Sequence, residues 1–188
     1  RFGVKKLVFV GDRGMIKSTQ IDAFSNDTHY ITAITKEQIK TLVKKGGIQL
    51  ELFEENLIEI DHEGIRYLAR RNPVRAQEIQ ANRTEKIASI RQKVIEANSY
   101  LNDHKRAKVD TQLIAINKRI SRLNLSSLCS VSVTDQAGIS LVIDQEQLNA
   151  LIPLDGCYVI KTDLKKEELD ASLVHQRYKL AHELLIID

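Results

Sequence analysis

The sequence predicts an α/β protein whose sheet-and-helix core is interrupted by an insertion with β strands and an antiparallel helical hairpin. Three observations predict it. Short β-rich runs alternate with amphipathic segments over residues 1–47 in the order β-α-β-α. The middle of the chain then carries two long helical patterns, the second with Val109, Leu113, Ile116, Ile120 and Leu123 at spacings of 4, 3, 4 and 3, an a/d seam. After them β character returns, and a helical segment follows it.

Leu7-Val8-Phe9-Val10 is an apolar run of the kind found in a strand buried on both faces. It stops at Gly11-Asp12-Arg13-Gly14, where two glycines permit a tight turn. A short helix follows, with Thr19 as N-cap, Asp22 three residues on, and Ile21 and Phe24 as its apolar face. Tyr30 to Ile34 reads as the next strand, and Lys36 to Lys45 as a helix through Ile39, Leu42 and Val43, stopped by Gly46-Gly47. Leu57 to Ile60 and Ile65 to Ala69 flank His62-Glu63-Gly64 as a hairpin, which Asn72-Pro73 breaks. Helices are predicted over Ala76–Leu101, with Ile87, Ile90, Val94 and Leu101, and over Lys108–Leu123. The linker between them is short, so they fold back on each other. Strands Leu128–Val133 and Ile139–Ile143 surround a turn at Asp135–Gly138; a helix near Gln145–Leu151, a strand at Cys157–Ile160 and a helical stretch over Leu164–Leu185 complete the pattern.

Composition narrows the function classes. Hydrophobic residues at 43% and charged residues at 28% are the balance of a globular chain with a real core. Aromatic residues are only 5%, without Trp, which disfavours base-stacking platforms and sugar clefts. Neither a membrane-spanning run nor a signal-peptide pattern occurs, and Cys129 and Cys157 form neither a disulfide framework nor a metal pair, so a cytoplasmic location without membrane partners is expected. Charge is segregated: Arg66 to Arg122 holds 14 Lys+Arg against 5 Asp+Glu, whereas the remainder holds 14 against 20. That is either a footprint for polyanions or a solvated helix face.

Several motifs are excluded. Lys17-Ser18 follows Ile16, not the Gly of a phosphate loop, and neither G-x-G-x-x-G nor G-x-S-x-G occurs. His182-Glu183 lacks the second His of H-E-x-x-H, and His29, His62, His104 and His175 are scattered. Asp12 stands out, because the carboxyl end of a strand is where open α/β sheets place ligands and catalytic groups. A carboxylate there is a metal ligand, a general base or a turn cap.

Val8-Phe9-Val10-Gly11-Asp12-Arg13-Gly14-Met15 resembles the strand that bears the second acidic residue of insertion-sequence transposases with a DDE catalytic domain. Tyr67-Leu68-Ala69-Arg70-Arg71-Asn72-Pro73 is similar to that group's strand-then-Asn-Pro step, and Arg83 fits its next helix. Leu154-Asp155-Gly156-Cys157-Tyr158-Val159-Ile160-Lys161-Thr162 resembles its late strand, and Arg177-Tyr178-Lys179 the start of the helix holding the third acid. The segments follow the family's order over nearly the whole chain, and the group they most resemble is the IS-four type.

The resemblance implies an α/β fold with a partial ribonuclease-H-like core. Residues 1–47 would be its first part, 48–155 the insertion, and 156–188 a core strand and the C-terminal acidic helix. It implies two Mg²⁺ (or Mn²⁺) ions held by three carboxylates, which activate water or a 3′-hydroxyl for in-line displacement on a DNA phosphodiester. Asp12 and Glu183 would be catalytic and metal-holding, and Arg13, Arg70, Arg71, Arg177, Tyr178 and Lys179 would bind DNA. Transposon ends, target DNA and a second copy in a homodimer would be the partners. Two departures bear on activity. The family's first Asp lies on an earlier strand, upstream of Arg1. Its Glu follows the Tyr by seven residues, where this chain has Leu185; the nearest acid, Glu183, comes five after Tyr178. A shift of two residues turns a helix by roughly 200°. The tail Leu184-Leu185-Ile186-Ile187 reads as an altered end. This chain by itself is therefore expected to bind DNA without cutting it. The reading from another class is a non-enzymatic interaction protein, with Ala76–Leu123 as a coiled-coil dimerisation or nucleic-acid-binding module.

Overall fold

Alternation of apolar and polar residues along short strands, and a heptad-like seam along two long helices, build the two parts of this molecule. A computed structural model describes residues 6–12, 15, 16, 18–49, 53, 55–135 and 138–184, the side chains of residues 18 and 182–184 excepted. The elements run β1 (Leu7–Gly11), α1 (Ser18–Ile21), β2 (Thr28–Ala33), α2 (Lys36–Lys44), β3 (Ile58–His62), β4 (Ile65–Arg71), α3 (Pro73–Asp103), α4 (Val109–Arg122), β5 (Cys129–Val133), β6 (Ile139–Ile143), α5 (Gln145–Leu151), β7 (Cys157–Thr162) and α6 (Ala171–Leu184). The result is mixed α/β with a mixed sheet, divided into one unit of Arg1–Val74 with Gly156–Asp188 and a second of Arg75–Asp155.

In the first unit the strand order is β1-β2-β7-β4-β3. β1 and β2 are parallel, and the remaining pairs are antiparallel. The β3–β4 hairpin turns through Glu63 (φ 55°) and Gly64 (φ 74°), the double positive-φ step that suits the twist of a two-residue hairpin. The α2 helix starts in a capping box between Thr35 and Gln38. Ile31, Leu68, Ile160, Leu164, Leu169 and Val174 form the core on the face that α6 covers, with Val8, Val10, Tyr158 and Tyr178 packed against it.

Three expectations are corrected here. The run Leu7–Val10 is not buried on both faces. Val8 and Val10 pack into the core, but Leu7 and Phe9 are 47% and 44% exposed, because β1 ends the described strand order. Phe9 meets Phe24 instead, with ring centroids 5.3 Å apart. The insertion does not separate at residue 48: β3 and β4 join the main sheet through the register of β4 with β7, and the second unit begins at Arg75. The last helix starts at Ala171 rather than Leu164, because the Asp170 carboxylate accepts the Ser172 and Leu173 N–H groups and so caps it. The preceding loop is tied to the sheet by Arg66, whose Nη1 donates to the carbonyls of Leu169 (2.6 Å) and Leu164 (3.3 Å). Arg66 Nε donates to Glu59 at 2.7 Å, and this partner holds the Glu59 carboxyl below its ordinary value. Arg66 is buried, so it leaves the basic footprint that its segment carries by count.

In the second unit α3 and α4 contribute Ile87, Ile90, Val94, Ala97, Ile116 and Ile120 to one buried cluster, completed by Leu125, Leu128, Cys129 and Ile139. The β5–β6 hairpin is fastened to α3 by Asn98, whose amide donates to the Ile139 carbonyl and whose carbonyl oxygen accepts the Ile139 N–H, both at 2.8 Å. Asp155 is fully buried, and Arg83 Nη2 donates to its two oxygens at 2.7 and 2.9 Å. Cys129 and Cys157 are buried, and burial pushes the Cys129 thiol up.

Candidate functional site

The site is built where β1 ends. Gly11 is buried, and a Cβ there would come within 2.9 Å of the Ile16 side chain, so the strand closes on glycine. The Asp12 carbonyl accepts the Met15 N–H at 3.0 Å, which turns the chain at once. Alternation puts Asp12 on the face of Val8 and Val10, the face on which α6 packs. There the Tyr178 hydroxyl donates to Asp12 Oδ1 at 2.8 Å, joining groups 166 positions apart in sequence. A hydrogen bond to a charged acceptor contributes about 1.5–3 kcal/mol. Tyr178→Phe, which deletes only the donor, is expected to lower stability by about 1–2 kcal/mol at this half-buried position. Urea unfolding checks it: the midpoint should fall while the slope stays constant.

A second cluster lies on the same face. Arg70 and Tyr158 are cross-strand partners in the β4–β7 ladder. The Tyr158 hydroxyl is hydrogen-bonded to His175 Nε2, with the rings stacked at 5.8 Å between centroids. Arg70 lies beside Tyr158 in the ladder and donates from Nε to the Glu55 carbonyl at 2.6 Å. The Tyr158 hydroxyl and His175 Nε2 share one hydrogen, and the imidazole tautomer sets which of the two donates. Burial, then the cations Arg70 and Lys179, holds His175 below its ordinary pKa. Burial pushes the Tyr158 hydroxyl up, although Arg70 pulls it the other way. Sequence reading passed over both residues. The spacing His175, Tyr178, Lys179 (i, i+3, i+4) puts those three on one side of α6, but no local signal points to Tyr158 on β7.

The structure thus brings Asp12 and Tyr178 together, with Arg70 on the same face of the sheet. Arg71 follows Arg70 in β4 and points to the opposite face, so the two cannot serve one site. Lys179 and Arg177 are both exposed and flank Tyr178 on either side around α6. Glu183 lies on α6 five residues beyond Tyr178, about 140° further round the helix; its side chain, like Arg13, lies outside the described residues. Among the described residues no group of three or more His, Cys, Asp or Glu converges as a metal site. One carboxylate, Asp12, is what they supply at this strand end.

A cavity of about 560 Å³ beside β1 is lined by Phe9, Val10, Met15, Ile16 and Phe24 among others, and none of the described residues that line it is titratable. The exposed cations of the second unit include Arg91, Lys105, Arg106, Lys108, Lys118, Arg119 and Arg122. Ion pairs Arg75–Glu78, Lys93–Glu96 and Arg83–Asp155 absorb part of the charge that the segment carries by count. No helix among the described residues is long and apolar enough to cross a membrane. No protein-family model, curated protein or solved structure matches the chain.

Proposed function

We propose that the chain is a catalytic-domain piece of an insertion-sequence DDE transposase of the IS-four type, a protein of DNA transposition whose partner is DNA. The observation that carries this reading is the Tyr178–Asp12 hydrogen bond. It joins the two segments that resemble the family's acid-bearing strand and its acidic helix, which sequence alone leaves far apart. The parallel β1–β2 pair supports a ribonuclease-H-like core, because it sets the end of an acid-bearing strand beside the ligand edge of an α/β sheet.

In this reading each described side chain has a task. Tyr178 fixes the rotamer of Asp12 by donating to one carboxylate oxygen. Arg70 and Lys179 bring positive charge to the same side of the sheet and bind backbone phosphates. The exposed cations of the α3–α4 hairpin add sequence-independent affinity, which falls as salt displaces them from the phosphates. Mg²⁺ or Mn²⁺ would supply Lewis-acid activation of the nucleophile and leaving oxygen in a full centre. A second and third acid are needed for that centre, and Asp12 is the one matched acid whose side chain is described. Homodimer formation belongs to the same proposal.

The test places acids at the two further positions where the family carries them. A chain extended by a preceding strand with its Asp, and carrying Leu185→Glu, is expected to nick DNA in Mg²⁺, and Asp12→Ala in that chain is expected to abolish nicking. If the extended chain binds DNA but Asp12→Ala leaves its nicking unchanged, Asp12 is not the matched acid and the reading fails.

A further inference from the structure

We propose that Lys161 is a carbonyl-reactive amine, the attachment point for a small neutral hydroxyaldehyde on the sheet face opposite α6. β7 is the central strand of the five, and Lys161 pairs with Thr32 on β2 and Tyr67 on β4 in the ladder. Both neighbours are buried, at 1% and 7% exposed. Alternation sets these side chains, with Tyr30 two residues before Thr32, on the face away from Ile31, Leu68 and Ile160. A lysine in the middle of a sheet face is out of place unless a partner neutralises it. Among the described residues the Lys161 ammonium makes no hydrogen bond and no ion pair, and it lies 5.6 Å from the centroid of the Tyr30 ring. An aromatic face attracts a cation, but it replaces few of the hydrogen bonds that water gives an ammonium. Burial therefore holds the Lys161 amine below its ordinary value, although Asp22 pulls it the other way.

Loss of its proton is what makes a lysine a nucleophile. At pH 7 an ordinary lysine is neutral in fewer than about 0.1% of molecules, and each unit of lowering raises that share about tenfold. The neutral Nζ attacks the carbonyl carbon with its lone pair, and the carbinolamine so formed loses water. Both hydrogens of the amine leave with the carbonyl oxygen, C=N replaces C=O, and nothing is oxidised or reduced. The groups that face Lys161 are Tyr30 from β2, Tyr67 from β4 and Asp22, which follows α1. Space for the aldehyde lies alongside. Tyr30 lines a cavity of about 430 Å³ together with Phe24, Ser25, Asn26, Thr28 and Asp163. The hydroxyls and the amide suit a hydroxylated chain. The Asp163 carboxylate accepts the Tyr30 N–H and is hydrogen-bonded to His29 Nδ1, both at 2.9 Å, which fixes a negative charge in the wall and disfavours an anionic aldehyde. Asp12 and Tyr178 lie on the other face of the sheet, so this inference does not rest on the transposase reading.

The test treats the full 188-residue chain at pH 7 with glycolaldehyde and cyanoborohydride, which reduces an imine as it forms. Peptide mass spectrometry then maps the labelled lysines. Lys161 is expected to label about tenfold faster than the exposed Lys105, Lys108 and Lys118, the gain that one unit of lowering supplies. Glyoxylate, an aldehyde of similar size that carries a carboxylate, should reduce this advantage of Lys161 about fivefold through repulsion from Asp163. Asp163→Asn should restore part of it. NMR titration of the methylated amines gives a second reading: Lys161 should lose its proton before the exposed lysines as pH rises. Labelling of Lys161 at the rate of the exposed lysines, or titration together with them, overturns the reactive amine. Fast labelling of Lys161 that favours glyoxylate overturns the assignment of a neutral hydroxyaldehyde. Neither result bears on Asp12 or on DNA binding, so the two proposals fail separately.

Discussion

Ile90→Asp combined with Ile116→Asp should unfold the α3–α4 hairpin. Both side chains are 0% exposed, and they lie in one cluster with Ile87, Val94 and Ile120. Removing a buried isoleucine costs about 2–5 kcal/mol through lost transfer energy and the cavity left behind. Each new carboxylate must in addition be desolvated without a partner or forced to stay protonated. Two such changes cost about 4–10 kcal/mol before desolvation is added, which is on the scale of the 5–15 kcal/mol that typically holds a domain together. The hairpin helices α3 and α4, of 31 and 14 residues, are the measurable element. Far-ultraviolet circular dichroism of the double variant should lose their signal at room temperature. Helicity and melting like those of the parent would show that the seam does not hold the two helices together.

Arg83→Ala has the next largest effect. Asp155 is 0% exposed, and the Arg83 guanidinium lies 2.7 Å from its carboxylate with its own side chain 12% exposed. Truncating the cation leaves a buried carboxylate without its counter-charge, at a cost of about 3–5 kcal/mol. Replacing both partners, Arg83→Met with Asp155→Leu, removes the charge along with its desolvation penalty and should recover most of that loss. Urea unfolding of the single and double variants checks the cycle. A single-variant loss under about 1 kcal/mol, the range of exposed pairs, would mean that water reaches the carboxylate and the pair holds nothing.

What was legible in the sequence was local chemistry. Glu63-Gly64 marks the hairpin because two residues with φ near 55° and 74° are needed there. The 4-3-4-3 spacing marks α4 because it lines one side of a helix. Asn72-Pro73 marks the end of β4, although α3 starts at Pro73 and not at the expected Ala76, because a proline's missing donor is harmless in the first helical turn. What the sequence hid was long-range pairing. Nothing in Ile65–Arg71 announces that β4 bonds to β7 rather than closing off an insertion, since hydrogen-bond partners 90 positions away leave no local signal. Leu7 and Phe9 read as buried because a strand's apolar content does not say whether it is central or at an edge. The candidate site was legible in halves. Asp12 was found from the strand-then-Gly turn and Tyr178 from the resemblance, while Tyr158 and His175 became visible only once the sheet brought β4, β7 and α6 together.

The most direct measurement is DNA binding and nicking by the unmodified 188-residue chain, followed over a salt series with Mg²⁺ or Mn²⁺ present. The proposed function predicts weak binding without sequence preference. The logarithm of affinity should fall with the logarithm of salt by about 0.9 for each phosphate neutralised, and no strand cleavage should occur. Absence of binding even at low salt would contradict the transposase reading itself, and nicking that Asp12→Ala abolishes would contradict the view that this chain lacks a complete set of acids.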